Sequence, residues 1–259
     1  QQLVVMAHFS DGHVEDVTRW SKYTSVDLNV ATVGEHGKVQ FVGPGEGAIK
    51  VWYLNLNALS FNTVPFNDQL VNGDSIQENN FIDEIVNRKL NELKVPVSQL
   101  CDDPTFIRRL FVDAMGVLPT TEELVLFLED PRPSDEKRVA LIDQVLGRPE
   151  FVDYWAYKWS DLLLVSGARL RPAGVEAYYK WIRERVANNL PWDELVRQVV
   201  TASGSALENG AANFYALHQS PEDMAETVAQ AFMGLSINCA KCHNHPLEKW
   251  TNDQYYAMA

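Results

Sequence analysis

The chain has 259 residues, 46% hydrophobic and 22% charged, enough apolar material for one large domain or two modest ones. Its 35 Asp and Glu outnumber 22 Lys and Arg, for a net charge of −13, and most of that excess lies beyond residue 64. Such a surface repels a phosphate backbone, so nucleic-acid binding is disfavoured, and no run of about 18 apolar residues is present to span a membrane.

Residues 1–64 read as β. The apolar run Leu3-Val4-Val5-Met6 is followed by Phe9 and the turn signal Asp11-Gly12. Short strands are expected around 14–18, 30–33, 38–42 and 48–54, punctuated by Gly34, Gly37, Gly43, Gly45 and Gly47. Short strands separated by glycine turns predict a small β-sandwich. Residues 65–79 read as a linker, with Pro65, Asn67, Asp68, Asn72, Gly73, Asp74 and Asn79 supplying loop chemistry.

From residue 80 the periodicity turns helical, giving an all-α domain over 80–259. Phe81, Ile82, Ile85, Val86, Leu90 and Leu93 recur at three- and four-residue steps before Pro96. Asp103-Pro104 opens a second helix and Thr120-Thr121-Glu122-Glu123 a third, through a capping box. Ser134 opens a fourth, which Gly147 closes, and further helices are expected over 151–165, 175–187 and 192–202. Ser220-Pro221-Glu222-Asp223 starts one carrying Met224, Val228 and Phe232. The fold class expected is therefore multidomain, β followed by α.

Cysteine use is sparse: Cys101, Cys239 and Cys242, too few for a disulfide-built scaffold. The run Cys239-Ala240-Lys241-Cys242-His243 has the spacing of c-type haem attachment. Each thiol adds to one vinyl group of the porphyrin, and the adjacent His243 donates an axial nitrogen to the iron. Two alternatives stand beside haem c: a redox dithiol, or a zinc site completed by His243 and His245. Of the apolar residues around the run, Phe232, Leu235, Ile237, Leu247 and Tyr256 read mainly as core, while Trp250 and Tyr255, which follow the attachment site, are the candidates for a pocket wall. For the sixth iron position the distal candidates are Met258, His218 and Met224. Cys101 reads as a buried small side chain.

Residues 2–64 resemble the bacterial Ig-like group 2 domains through Ser10-Asp11-Gly12, Asp16-Val17-Thr18, Gly37-Lys38-Val39 and Gly45-Glu46-Gly47. That resemblance implies an adhesive or spacing module of extracellular proteins. Residues 80–259 resemble secreted planctomycete proteins of unknown function associated with cytochrome c domains. The matching strings are Arg109-Leu110-Phe111-Val112-Asp113, Phe151-Val152-Asp153-Tyr154-Trp155-Ala156, Asn189-Leu190-Pro191-Trp192, and the stretch from Cys239 to Tyr256. This second resemblance implies export, frequent coupling to Ig-like modules, genomic association with polysaccharide breakdown, a role for His245 beside the haem motif, and further chain beyond Ala259. It implies no established reaction. Arg109 and Asp113, one helical turn apart, are expected to form a structural ion pair.

The function expected is an exported, periplasmic or extracellular haem protein that transfers electrons or performs haem redox chemistry with an unidentified partner. The alternative is a non-redox carbohydrate-binding or scaffold protein, supported by seven Trp and the Ig-like module. Hydrolysis by Asp102, Asp103, Glu122 or Glu123 is the weakest reading, since these residues sit where helix starts need acceptors.

Overall fold

The computed structural model describes residues 1–67, 78–245 and 248–259. Contacts among these residues divide the chain into two compact units. One lies within residues 1–99, and the other comprises 100–245 with 249–259. The linker expected over 65–79 falls mostly outside the described residues, as does Leu247.

Among its described residues the first unit holds seven antiparallel strands: β1 (Met6–His8), β2 (Val14–Asp16), β3 (Lys22–Ser25), β4 (Ala31–Val33), β5 (Val39–Phe41), β6 (Gly45–Tyr53) and β7 (Leu56–Val64). They pair as β1-β2, as β4-β5, and as a three-stranded sheet in the order β3-β6-β7. The long β6–β7 hairpin runs in register from Gly45 opposite Val64 to Tyr53 opposite Leu56. Ile49 and Val51 lie two apart on β6 and so share a face, which buries them with Ala31 and Val39 against Val5 and Tyr23. The sequence pattern did not predict β3 or β7. Asn57, Ser60 and Asn62 give β7 little strand propensity of its own, and its pairing with β6 carries it.

Helix α1 (Phe81–Leu93) belongs to the same unit and opens with a capping box from Asn80 and Asp83. Its expected apolar stripe is only partly used. Phe81, Ile82, Ile85 and Val86 are exposed, and the buried position is Asn87.

The second unit is helical. Its elements are α2 (Asp103–Met115), α3 (Thr121–Glu129), α4 (Ser134–Leu146), α5 (Pro149–Leu162), α6 (Pro172–Ala187), α7 (Trp192–Val200), α8 (Asn213–Leu217), α9 (Pro221–Met233) and α10 (Asn252–Met258). Short 3-10 turns cover Gly210–Ala212 and Asn238–Lys241. One core gathers Ile107, Phe111 and Met115 of α2 with Phe127 and Val145. Gly116 ends α2 at φ 69°, where an added Cβ would stand 2.4 Å from the Tyr154 ring on α5, so the helix stop and the α2–α5 contact need the same glycine. A larger core forms around Tyr178, Trp181, Ile182, Phe214 and Leu217. There a Cβ on Gly210 would sit 2.5 Å from both the Ala177 carbonyl oxygen and the Trp181 Cβ, so the 3-10 turn lies directly on α6.

Candidate functional site

The third core of the helical unit is small and holds the CxxCH segment. Helix α9 stops at Gly234, which adopts the left-handed conformation, and the chain turns back with the Leu235 N–H donating to the Ala229 carbonyl. Ile237 then buries against Ala229, Ala240 and Tyr255, with Leu235, Trp250 and Met258 packed around them. The 3-10 turn at Asn238–Lys241 comes next. A 3-10 turn repeats every three residues, so Cys239 and Cys242 fall on one side of it. Ala240, between them, is 0% exposed, whereas both cysteines are exposed and free. The alternation of an apolar anchor with outward thiols is a direct consequence of the turn.

Beyond the turn, the chain is pinned by side chains rather than by a regular ladder. Asn252, the first residue of α10, donates from its amide to the carbonyls of Ala240 at 2.8 Å and Lys241 at 2.9 Å. Its backbone N–H donates to the Asn244 Oδ1 at 3.1 Å. The His245 N–H donates to the Trp250 carbonyl at 2.8 Å, and the Tyr256 hydroxyl to the Lys241 carbonyl at 3.2 Å. Thr251 and Gln254 form a capping box that fixes where α10 begins, and so places Asn252. Beneath the turn the Tyr255 hydroxyl donates to Glu226 Oε1 at 2.7 Å. Burial, reinforced by that carboxylate, holds the Tyr255 phenol protonated far above its usual range.

His243 is exposed, and its Nδ1 lies 2.7 Å from the Asn244 carbonyl oxygen. A carbonyl oxygen only accepts, so Nδ1 bears the proton and the lone pair resides on Nε2. The imidazole is thus set in the tautomer that a metal ligand uses, with its second nitrogen oriented by a backbone carbonyl. Two thiols and one imidazole of this kind fit the donor set of a c-type haem.

The other expected site residues are distributed differently. Tyr255 is 1% exposed and packs with Ile237 and Ala240 under the motif. Trp250 is half-buried at the edge of the same core, and His245 is partly buried in the segment that Trp250 closes. Phe232 packs into the larger core near Trp192 and Phe214. The three distal candidates, His218, Met224 and Met258, come together around one cavity of about 540 Å³, whose lining does not include Cys239, Cys242 or His243. His218 has both ring nitrogens engaged, Nδ1 with the Phe214 carbonyl at 2.6 Å and Nε2 with Thr227 Oγ1 at 2.9 Å.

Among the described residues no three His, Cys, Asp or Glu side chains are grouped so as to hold a metal ion. Three of the four carboxylates weighed for hydrolysis have structural partners, and the fourth, Glu122, lies in the first turn of α3. Asp102 caps α2 through the Thr105 N–H, and Glu123 closes the Thr120 capping box and pairs with Arg148 at 2.5 Å. Asp103 binds Lys137 at 2.7 Å and Arg138 at 2.6 Å and accepts from the Ser134 hydroxyl, so its carboxyl titrates far below the usual range, the buried Lys137 being the largest cause. Arg109 and Asp113 are not among the ion pairs formed between described residues, a departure from the helical-spacing expectation. Cys101 is partly buried, and its carbonyl accepts from Arg138. Asn252 and Glu226 were not singled out in the sequence; the pattern Thr251-x-x-Gln254 was the available signal, because it fixes the helix start that aims Asn252.

No helix among the described residues is long and apolar enough to cross a membrane. Residues 81–259 match the family model described as PSCyt2, protein of unknown function (DUF1549). No curated protein and no solved structure matches the chain.

Proposed function

The chain belongs to this PSCyt2 family of unknown function over residues 81–259, and from that premise we propose that its CxxCH segment attaches haem c and makes the protein an exported redox protein. The observation that carries the reading is the way Cys239, Cys242 and His243 face outward from a turn whose intervening Ala240 is buried. Each thiol would add its S–H across one porphyrin vinyl group, sulfur bonding to carbon, with no oxidant required. His243 would offer Nε2 to the iron while the Asn244 carbonyl holds Nδ1–H. Asn252 keeps the two cysteines in place by donating to the two carbonyls between them, and Tyr255 supports the turn from below. Trp250 and His245 stand at the margin of the site, where an indole edge and a second imidazole would border the macrocycle. Bound haem would supply a one-electron iron couple, for electron transfer with a strong sixth ligand or peroxide and oxygen chemistry with an open position.

Zinc is less well supported, because the motif's own side chains are not gathered into a ligand cage among the described residues. We read the first unit as an Ig-like spacer, supported by its short antiparallel strands and glycine turns. Covalent haem attachment takes place outside the bacterial cytoplasmic membrane, so the proposal places the protein in the periplasm or beyond.

The test is expression with cytochrome c maturation factors followed by a pyridine haemochrome spectrum of denatured protein. Covalent haem that is reduced to a single thioether in Cys242→Ala, and lost when Cys239 is changed as well, is the expected result. Protein without haem under those conditions overturns the reading.

A further inference from the structure

The three-stranded sheet of the first unit has two edges, and they are built differently. Strand β3, at one edge, is four residues long and begins with Lys22, a short and charged edge of the kind that resists pairing with another chain. Strand β7, at the other, runs for nine residues without a charge or a proline, and no bulge interrupts its register with β6. Among the described residues no strand pairs with its outer side.

The pairing determines which groups that side presents. The Val26 N–H donates to the Ala48 carbonyl, so the main chain of Ala48 turns toward β3, and that of Ile49, Val51 and Tyr53, at odd positions, turns toward β7. Their partners Ser60, Ala58 and Leu56 are thereby bonded to β6, and the main-chain groups of Leu59, Phe61 and Thr63 point away from the sheet. The Leu59 and Phe61 side chains share the face opposite to the one that buries Ile49 and Val51; Phe61 is 80% exposed, and Leu59 is exposed beside it. Helix α1 reaches this face at one end, where Glu92 accepts from the Thr63 hydroxyl at 3.3 Å, and leaves both apolar side chains bare.

A second copy of the same strand, running antiparallel, fits this edge. Leu56–Val64 overlaps itself from end to end when Ser60 lies on a two-fold axis. Leu59 then stands opposite Phe61 of the second copy, and Phe61 opposite its Leu59. Both pairs consist of residues whose main-chain groups face outward, so both close with N–H to carbonyl bonds in each direction. A slip of one residue would set those groups against ones already bonded to β6, so the register is discrete. The same register makes two leucine–phenylalanine contacts on the bare face. It also brings Val64 of the second copy opposite Leu56, a wall residue of an apolar groove of about 510 Å³ beside β1. Neither strand carries a charge to oppose the other, in a chain whose net charge of −13 otherwise sets copies against each other. We propose that β7 joins two copies of this chain edge to edge into one continuous sheet, β3-β6-β7-β7-β6-β3. The interface is small, and it is independent of haem attachment.

Sedimentation equilibrium of the full chain under reducing conditions, from about 1 to 200 µM, tests it. The mass should rise with concentration from 29.3 kDa toward twice that value, with a dissociation constant of about 10 µM. Phe61→Lys, at an exposed position, should weaken association at least about tenfold and leave the melting temperature of the dilute protein unchanged. Ser60→Cys, in a chain whose natural cysteines are replaced by alanine, should crosslink to its copy on mild oxidation. Position 60 meets itself at a pair without main-chain bonds, where Cβ atoms lie about 4.5–5.5 Å apart. Phe61→Cys in the same background should crosslink far more slowly. Three results overturn the proposal: a chain still monomeric at about 200 µM, which leaves the edge to a strand of another protein; a dimer that Phe61→Lys does not weaken; or crosslinking at position 60 no faster than at position 61.

Discussion

Around Tyr178 and Trp181, helices α6 and α8 bury large side chains against one another, and the turn at Gly210 approaches so closely that a methyl group has no room. Residues 234–245 and 248–259 are arranged in the opposite way. Their apolar contribution is small, chiefly Ile237, Ala240 and Tyr255, and the chain is held in place by side chains that reach backbone groups. The first region draws its stability from packing, and the second relies little on packing and keeps the two thiols and the His243 imidazole on the outside. Substitutions should therefore separate the two, lowering stability in one and haem incorporation in the other.

The largest loss of stability is expected from Gly210→Ala. The added methyl meets the Ala177 carbonyl and the Trp181 Cβ, neither of them a flexible side-chain end, so the turn and α6 must part, at about 3 kcal/mol. Denaturant unfolding checks this, and the fraction that remains folded should still accept haem. A stable Gly210→Ala protein would mean that α6 and the turn are not closely joined.

Asp103→Asn comes next, at about 2–3 kcal/mol near neutral pH, because Lys137 is buried and would lose its counter-charge along with Arg138. The Asp103 carboxyl titrates below its unfolded value, so its contribution is complete above about pH 4 and fades as the pH falls further. Unfolding curves of the two proteins should therefore converge on acidification from pH 5 towards 2. A gap that stays constant over that range would show that the ion pairs are not its source.

Much of the helical pattern was legible in the sequence. Proline at first helical positions, the Thr120 capping box and the three- and four-residue apolar steps marked the helix starts, and the structure has helices there. The features that the pattern missed depend on distant partners. Strand β7 exists because β6 lies beside it, and the stripe on α1 is largely exposed although its periodicity is clear. In the CxxCH segment the motif singled out two thiols and an imidazole, but their exposure rests on Ala240 turning inward and on Asn252 reaching back eleven and twelve residues. A five-residue motif carries no trace of such a contact. Sequence proximity was also what nominated Tyr255 for the pocket wall, whereas helical spacing on α10 turns it beneath the motif with Met258.

Asn252→Ala sharpens the comparison from the other side. It removes two donors from the carbonyls of Ala240 and Lys241, at about 1–1.5 kcal/mol, a smaller effect on stability than either core change. Its effect on function should be the greater one, since the turn that presents both cysteines is loosened. Haem incorporation per folded chain, read from the ratio of haem absorbance to protein, should fall severalfold. Loss of stability with unchanged incorporation would place Asn252 with the packing residues instead.

The smallest effect on stability is expected where the proposed chemistry is concentrated. Cys239 and Cys242 are exposed and unpaired, so replacing both with alanine in the unloaded protein should change unfolding by no more than about 0.5 kcal/mol. The same double variant should contain no covalent haem at all when made with maturation factors. His243→Ala, also exposed, should be equally stable while altering the spectrum of any haem that the thiols retain, because the iron loses its protein ligand. A large loss of stability in the unloaded double variant would point instead to a structural role for the cysteines, and the contrast between the two regions would fail at its sharpest point.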